Sequence, residues 1–277
     1  MTNSAIIPSD AKPSGYKRRK FRDGLHRIAL LAAVITPLIF IAAALGSKFG
    51  IWDWSFGLGT LSQGVGVKML AACAGLGVLS VLATLVIRPR KGWWIGILAL
   101  AVGAAGFAKG AATQKTVMSL PFIHDVSTDT QNPPQFTGSI LAERAKVKGV
   151  NTLDYIGKKA PTGKDSPPKL VSALQTQAYP NVRPLVLSGE ADVVFGKALG
   201  AAKAMGWSVK DHEAAAGVIE ATATSFWYGF KDDVSIRVKP AEGGGSIVDV
   251  RSVSRVGTSD IGANAARIIE FLEKLSE

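Results

Sequence analysis

Three small groups of residues could do chemistry. His124, Asp125 and Asp129 form the densest polar cluster of the chain. An imidazole with one or two carboxylates is a workable donor set for a divalent metal, and a His–Asp pair could serve a hydrolase. Two features weigh against both readings. In an extended segment His124 and Asp125 point to opposite sides. Asp and Thr side chains ahead of Asn132-Pro133-Pro134 also bond nearby backbone groups and make turns. The cluster is therefore read as a turn, and no residue is assigned as catalytic or metal-ligating.

The second group is Arg251, Arg255, Asp260 and Asn264, around the start of the last helical pattern. Arg251 and Arg255 share a strand face with Asp249 and Val253, because side chains alternate along a strand. Two guanidiniums beside a helix N-terminus could bind an anion or a partner. The competing reading is an Arg–Asp surface network, for instance Arg255 with Asp260. The third group is aromatic: Phe226, Trp227, Tyr228 and Phe230. They are read as packing, or as the wall of an apolar groove between sheet and helix. Other signatures are missing. There is no G-x-S-x-G elbow. The Gly243–Gly245 tract precedes no helix, so it is not a phosphate loop. The lone Cys73 can form neither an intramolecular disulfide nor a Cys-based zinc site, and no motif calls for a cofactor.

The last two groups must be positioned by the pattern that begins at Leu185. Leu185–Leu187 reads as a buried strand. Ser188 is a candidate N-cap, with Glu190 and Asp192 in the first turn. Val194, Ala198, Ala201 and Met205 then recur at helical spacing, and Gly206 ends the helix. Trp207–Val209, Gly217–Ala223, Val234–Val238 and Ile247–Val256 read as successive strands. Thr258 or Ser259 would cap a final helix with the stripe Ile261, Ala265, Ile268, Leu272, Leu275. Consecutive strands joined by short turns imply an antiparallel sheet, which two helices can cover. The expected fold is α+β and helix-grip-like, over residues 184–277. Residues 113–183 hold eight of the 13 prolines, counting Pro184 at the edge, and read as an extended strap or linker. Val117–Val126 is apolar enough for a short strand.

Composition adds what precedes this module. The chain has 277 residues, 47% hydrophobic and only 19% charged, below the roughly 25% charged of ordinary soluble domains. Mean hydropathy is +0.23. The net charge of +11 is unevenly spread: residues 1–108 hold 12 Lys/Arg and 3 Asp/Glu, and 109–277 hold 20 and 18. A phosphate-tracking surface needs more charge than that second part carries, which argues against nucleic acid. Three stretches lack any charge: Ile28–Ser47, Met69–Ile87 and Gly92–Ala108. Each is long enough for a hydrocarbon core of about 30 Å. Residues 28–112 are thus expected to form three transmembrane helices behind a basic tail, 1–27. Basic residues crowd the tail (Lys12, Lys17 to Lys20, Arg22, Arg27) and the Arg88–Lys91 loop. By the positive-inside rule both face the cytoplasm. Everything after the third span would then be periplasmic, in a bacterial inner membrane. Gly96, Gly103, Gly106 and Gly110 give the third span a small-residue face for helix packing, within the bundle or against another subunit. No ionisable residue sits at mid-span, which speaks against a transporter.

Four blocks carry a resemblance: Ile123–Phe136 (IHDVSTDTQNPPQF), Ala178–Leu185 (AYPNVRPL), Phe226–Val238 (FWYGFKDDVSIRV) and Val248–Leu272. Together they resemble domain-of-unknown-function family 1499, whose three-span members occur in alphaproteobacteria. The resemblance implies a bacterial envelope protein and supplies no reaction. The expectation is a membrane-anchored, non-enzymatic accessory or binding subunit of a membrane complex. Its partners would be the bilayer and other membrane or periplasmic proteins. A lipid-handling module using the sheet–helix groove is the alternative, by analogy with helix-grip folds, and an envelope hydrolase built on His124 and Asp125 stands behind both.

Overall fold

The computed structural model describes residues 15–163 and 165–277. Lys12, with the rest of the first fourteen residues of the expected tail, and Lys164 lie outside the described residues. The chain divides into two compact units, 1–112 and 113–277.

The first unit is helical. Helix α1 spans Tyr16–Lys48, a π-helical segment at Phe56–Gly66 runs directly into α2 (Val67–Val86), and α3 spans Trp93–Ser119. All three helical runs are long and apolar enough to cross a membrane. They outlast the charge-free stretches because nothing breaks them at the first polar residue. Helix α1 is 33 residues long, about 50 Å at 1.5 Å per residue. It stops where Gly50 takes a left-handed φ of +70°. The expected loop between the first two spans is therefore mostly helix from Phe56 on. Pro89 follows the end of α2, and Pro121 the end of α3.

Small residues set how closely these helices approach. Ala29, Ala32, Ala33, Cys73 and Ala99 form the buried centre. A Cβ on Gly96 would lie 2.9 Å from the Gly77 carbonyl oxygen, and one on Gly103 would lie 2.7 Å from Ala74 Cβ. One on Gly106 would lie 2.2 Å from a Leu70 methyl. Polar groups stitch one end: the Arg22 guanidinium donates to the Ile87 and Pro89 carbonyls, and His26 Nε2 meets Thr84 Oγ1 at 2.9 Å. Large apolar side chains such as Leu31, Leu38, Leu79 and Leu85 are exposed on the outside of the bundle, which is consistent with a membrane location.

The second unit is an α+β domain. Its strands are β1 (Asp125–Ser127), β2 (Lys159–Ala160), β3 (Lys169–Leu170), β4 (Leu185–Leu187), β5 (Ser208–Glu213), β6 (Val218–Thr224), β7 (Lys231–Pro240) and β8 (Ser246–Ser254). Its helices are α4 (Gly138–Ala145), α5 (Val171–Ala178), α6 (Ala191–Ala204) and α7 (Ala263–Ser276). The main sheet runs β1-β8-β7-β6-β5, all antiparallel. Strand β4 shares the outer edge of β8 with β1: Leu185 faces Val248, and Asp125 faces Val253.

One face of this sheet follows the apolar alternation. Ile219, Ala221, Val234, Ile236, Val248 and Val250 pack beneath α6 and α7. Phe195 and Ala198 come down from α6, and Ile268, Phe271 and Leu272 from α7. Trp207 stacks on Phe271 with ring centroids 5.3 Å apart. Two helix starts differ from the expected caps. Helix α6 begins after Glu190 rather than Ser188. At α7 the N-cap residue is Gly262, at a left-handed φ of +81°, and Asp260 ahead of it accepts from the backbone N–H of Gly262 and Asn264, both at 2.9 Å, so neither Thr258 nor Ser259 is the cap.

The opposite face is covered by the Pro-rich stretch expected as a strap or linker. That stretch supplies β1, α4 and α5, and its segment 128–158 lies across the sheet. Ser235 Oγ donates to the Gln135 carbonyl, and Arg251 donates to the Pro134 and Leu153 carbonyls. Prolines end regular structure within the stretch, but they do not detach it from the domain.

Candidate functional site

The covered face is ionic. Period two places Asp233, Ser235 and Arg237 of β7 beside Asp249 and Arg251 of β8, on the side away from α6 and α7. Arg251 grips Asp125 bidentately, Nε to Oδ1 at 3.0 Å and a terminal nitrogen to Oδ2 at 2.8 Å. Both residues are 0% exposed. The guanidinium also lies over the rings of Phe136 and Tyr155, 5.4 and 5.6 Å from their centroids. Arg255 donates to Asp233, to Glu143 at 2.8 Å and to Thr222 Oγ1 at 3.1 Å. Arg144 takes the second oxygen of Asp233 at 2.8 Å. Arg237 spans Asp249 and Asp129 at 2.7 and 3.0 Å.

Proton affinities follow from these partners. Hydrogen bonds from Lys210 and Arg255 pull the Glu143 carboxyl down to about 2. Burial opposes the charge on Arg255, but the Asp233 and Glu143 bonds outweigh it and hold the guanidinium above its ordinary value. Burial pushes the Tyr155 hydroxyl up. Glu220 is the exception on this face. It is 1% exposed; Oε1 accepts from the Thr137 N–H, whereas Oε2 is buried without a hydrogen-bond partner among the described residues. Burial raises its pKa.

This arrangement changes the reading of the Arg251–Asn264 group. Both arginines are inside the domain, and each is already held by a carboxylate, with carbonyls added at Arg251 and the Thr222 hydroxyl at Arg255. Arg255 pairs with Asp233 and Glu143, not with Asp260. Asp260 accepts from N–H groups at the start of α7, and burial raises its carboxyl. Asn264 is buried; its Oδ1 accepts from Ser252 Oγ at 2.6 Å and its Nδ2 donates to the His124 carbonyl at 3.1 Å. The four residues hold β1, β8 and α7 together and leave no open anion site. Arg144, Asp233 and Glu143, which complete the network, carry no local motif. The usable sequence signal was the matched supply of Arg and Asp on β7 and β8.

The aromatic group is also placed differently. Phe226, Trp227, Tyr228 and Phe230 form the turn between β6 and β7, closed by Ser225 N to Phe230 O at 2.8 Å. Phe226 is 70% and Trp227 52% exposed, and their rings meet edge to face at 5.2 Å. Tyr228 stacks on Phe230 at 5.7 Å. They therefore do not line a groove, and the space between sheet and helices is filled by core side chains.

Gly96, Gly103 and Gly106 are consumed by packing of α3 on α2, whereas a Cβ on Gly110 would meet nothing within 4 Å.

His124, Asp125 and Asp129 diverge. Asp125 belongs to Arg251. Asp129 makes the expected turn, accepting from the Gln131 and Asn132 N–H groups at 3.0 and 2.9 Å. No cluster of three metal-binding side chains occurs among the described residues. His124 instead bonds through Nδ1 to the Thr258 carbonyl at 3.3 Å, and its Nε2 lies 3.1 Å from Lys158 Nζ. The pair borders a cleft of about 150 Å³ walled by Phe122, Ile123, Ala160 and Val171. Burial lowers the pKa of both; the field of Lys158 adds to this at His124, and that of Asp125 opposes it at Lys158. Lys158 could not be found from spacing, because it lies 34 residues beyond His124.

A model of the family described as a protein of unknown function, DUF1499, matches residues 125–275. The match opens at β1 and closes within α7, so it takes in the ionic face and the segment that covers it. No curated protein matches the chain.

Proposed function

From the premise that the chain belongs to the DUF1499 family, whose description names no activity, we propose that it is a membrane-anchored, non-enzymatic binding subunit of a membrane complex. The observation that carries this is the β6–β7 turn. Phe226 and Trp227 are large, aromatic and mostly exposed, at the tip of a rigid hairpin whose strands are in the core. Aromatic anchors of this kind dominate protein–protein binding energy. Anchoring to the bilayer by three helices raises the effective concentration of a partner in the same membrane.

The basic residues Lys17–Arg22 and Arg88–Lys91 support the reading of a cytoplasmic N-terminus and of an α+β domain on the other side of a bacterial inner membrane. A reporter fused after Glu277 should be active in the periplasm; cytosolic activity would overturn that orientation.

A photo-crosslinking residue at Trp227 tests the docking role in cells. It should give a discrete adduct with one membrane or periplasmic protein, and Trp227→Ala should abolish co-purification of that protein in mild detergent. Adducts with lipid alone would move the tip to the headgroup layer and contradict the subunit reading.

A further inference from the structure

The cleft beside β2 has features that the packing of the domain does not use. Lys158 is only partly exposed, and the sole hydrogen-bond partner of its ammonium among the described residues is the neutral ring nitrogen of His124, 3.1 Å away. The tautomer follows from the other side of the ring, where Nδ1–H donates to the Thr258 carbonyl and leaves Nε2 an acceptor. Two of the three ammonium N–H bonds are then left over. Asp125 lines the same cleft and offsets part of the charge, but its oxygens lie on Arg251 and make no hydrogen bond to the ammonium. Burial of the ammonium outweighs the favourable fields of Asp125 and Asp154, so its charge is only partly compensated. The rest of the lining is mostly apolar, with Phe122, Ile123, Ala160 and Val171, and also holds Asp125, Lys159 and Thr258.

We propose that this cleft binds the carboxylate of a small acid with an apolar tail, Lys158 taking the carboxylate and Ile123, Ala160 and Val171 taking the tail. A carboxylate fits two N–H donors on one ammonium. A phosphate is ordinarily held by a bidentate Arg or several backbone N–H groups, and every guanidinium nearby is already paired. The volume of about 150 Å³ is below the 300–1,000 Å³ or so of sites that enclose a drug-sized ligand. The cleft therefore takes the carboxyl end and the first few methylenes. Such an acid could come from the membrane, as a fatty acid, or from solution, as a short-chain acid. The site is separate from the hairpin tip and does not rest on the docking role given above.

The test is calorimetric titration of the full chain in a mild non-ionic detergent with butyrate, acetate and inorganic phosphate. Butyrate should bind about tenfold more tightly than acetate, for two further buried methylenes. Lys158→Met should weaken butyrate by about tenfold or more, the loss of a charged hydrogen bond, and Lys158→Arg should retain it. Trp227→Ala should leave the titration unchanged. Affinity that keeps rising from butyrate to hexanoate assigns a membrane-derived acid, and a plateau at butyrate assigns a soluble one. No heat with butyrate, phosphate binding better than butyrate, or undiminished binding by Lys158→Met would each overturn the proposal. Should Lys158→Met not fold, the His124 imidazole nitrogen resonances of the wild type decide: they shift on adding butyrate if the acid sits at Lys158, and stay fixed if it does not.

Discussion

The two faces of one six-stranded sheet are buried by opposite means. Beneath α6 and α7, Ile219, Val234, Ile236 and Phe271 exclude water by contact and have no polar obligations. Between the other face and segment 128–158, Arg251 and Arg255 from the sheet side and Arg144 from the segment itself are 0%, 4% and 3% exposed, and each is neutralised by a carboxylate. Close packing tolerates a lost methylene with a modest cavity cost. A buried ion pair loses far more when one partner goes, because the other is left charged and dry. The apolar face thus gives the domain stability. The ionic face fixes which segment covers it: the carbonyls of Pro134 and Leu153 must arrive at Arg251 for its donors to be met.

That contrast can be broken or sharpened by measurement. The largest effect is expected from Arg251→Ala, which strands Asp125: a loss of about 3–5 kcal/mol. The domain's thermal transition, followed in the full chain in detergent, should fall by roughly 10 °C. Replacing both partners, Arg251→Met with Asp125→Leu, should recover most of that loss. Phe271→Ala on the other face should cost about 3–5 kcal/mol as well, but no second substitution at a single partner should restore it.

Glu220→Gln is expected to stabilise at neutral pH, by about 1 kcal/mol. The sign follows from its raised pKa: the fold disfavours the ionised form, so wild-type stability is lost as pH rises from the unfolded carboxyl value through the folded one. Glu143 behaves oppositely. Its pKa is held at about 2 against an ordinary 4.5, so its contribution is full above the unfolded value and is lost as pH falls from about 4.5 toward 2. Glu143→Gln should flatten that acid limb, and Phe271→Ala should leave its shape unchanged. The smallest effect on stability is expected from Trp227→Ala, within about 0.5 kcal/mol, although it should abolish partner capture.

Much of this fold was legible because apolar period is a strong signal. Val234, Ile236 and Val238 alternate on β7, and Ile268, Leu272 and Leu275 recur on α7, so the apolar face and its helices were readable before any coordinates. The same logic misplaced Arg251 and Arg255. A charged residue at alternate strand positions is ordinarily solvated, and nothing local distinguishes solvent from a covering segment. The cover was itself disguised, since Pro133, Pro134, Pro161, Pro167 and Pro168 read as linker. The aromatic turn was misread for a similar reason: Phe226 and Trp227 have core composition and turn geometry, and the Ser225–Phe230 closure puts them at the tip. Lys158 reaches His124 only through the tertiary fold, so no spacing could reveal it. The three apolar helices were legible in place but read as too short, because Lys109 and Lys115 continue α3 rather than ending it.

The most direct test of the sealed ionic face is a double-mutant cycle between Asp125 and Arg251. The pair should show a coupling of about 2 kcal/mol or more, near the upper range for residues in contact, with Arg251→Ala and Asp125→Ala each far more harmful than their combination implies. A coupling below about 0.5 kcal/mol, the level of independent sites, would mean that this face is open to solvent and would contradict the account.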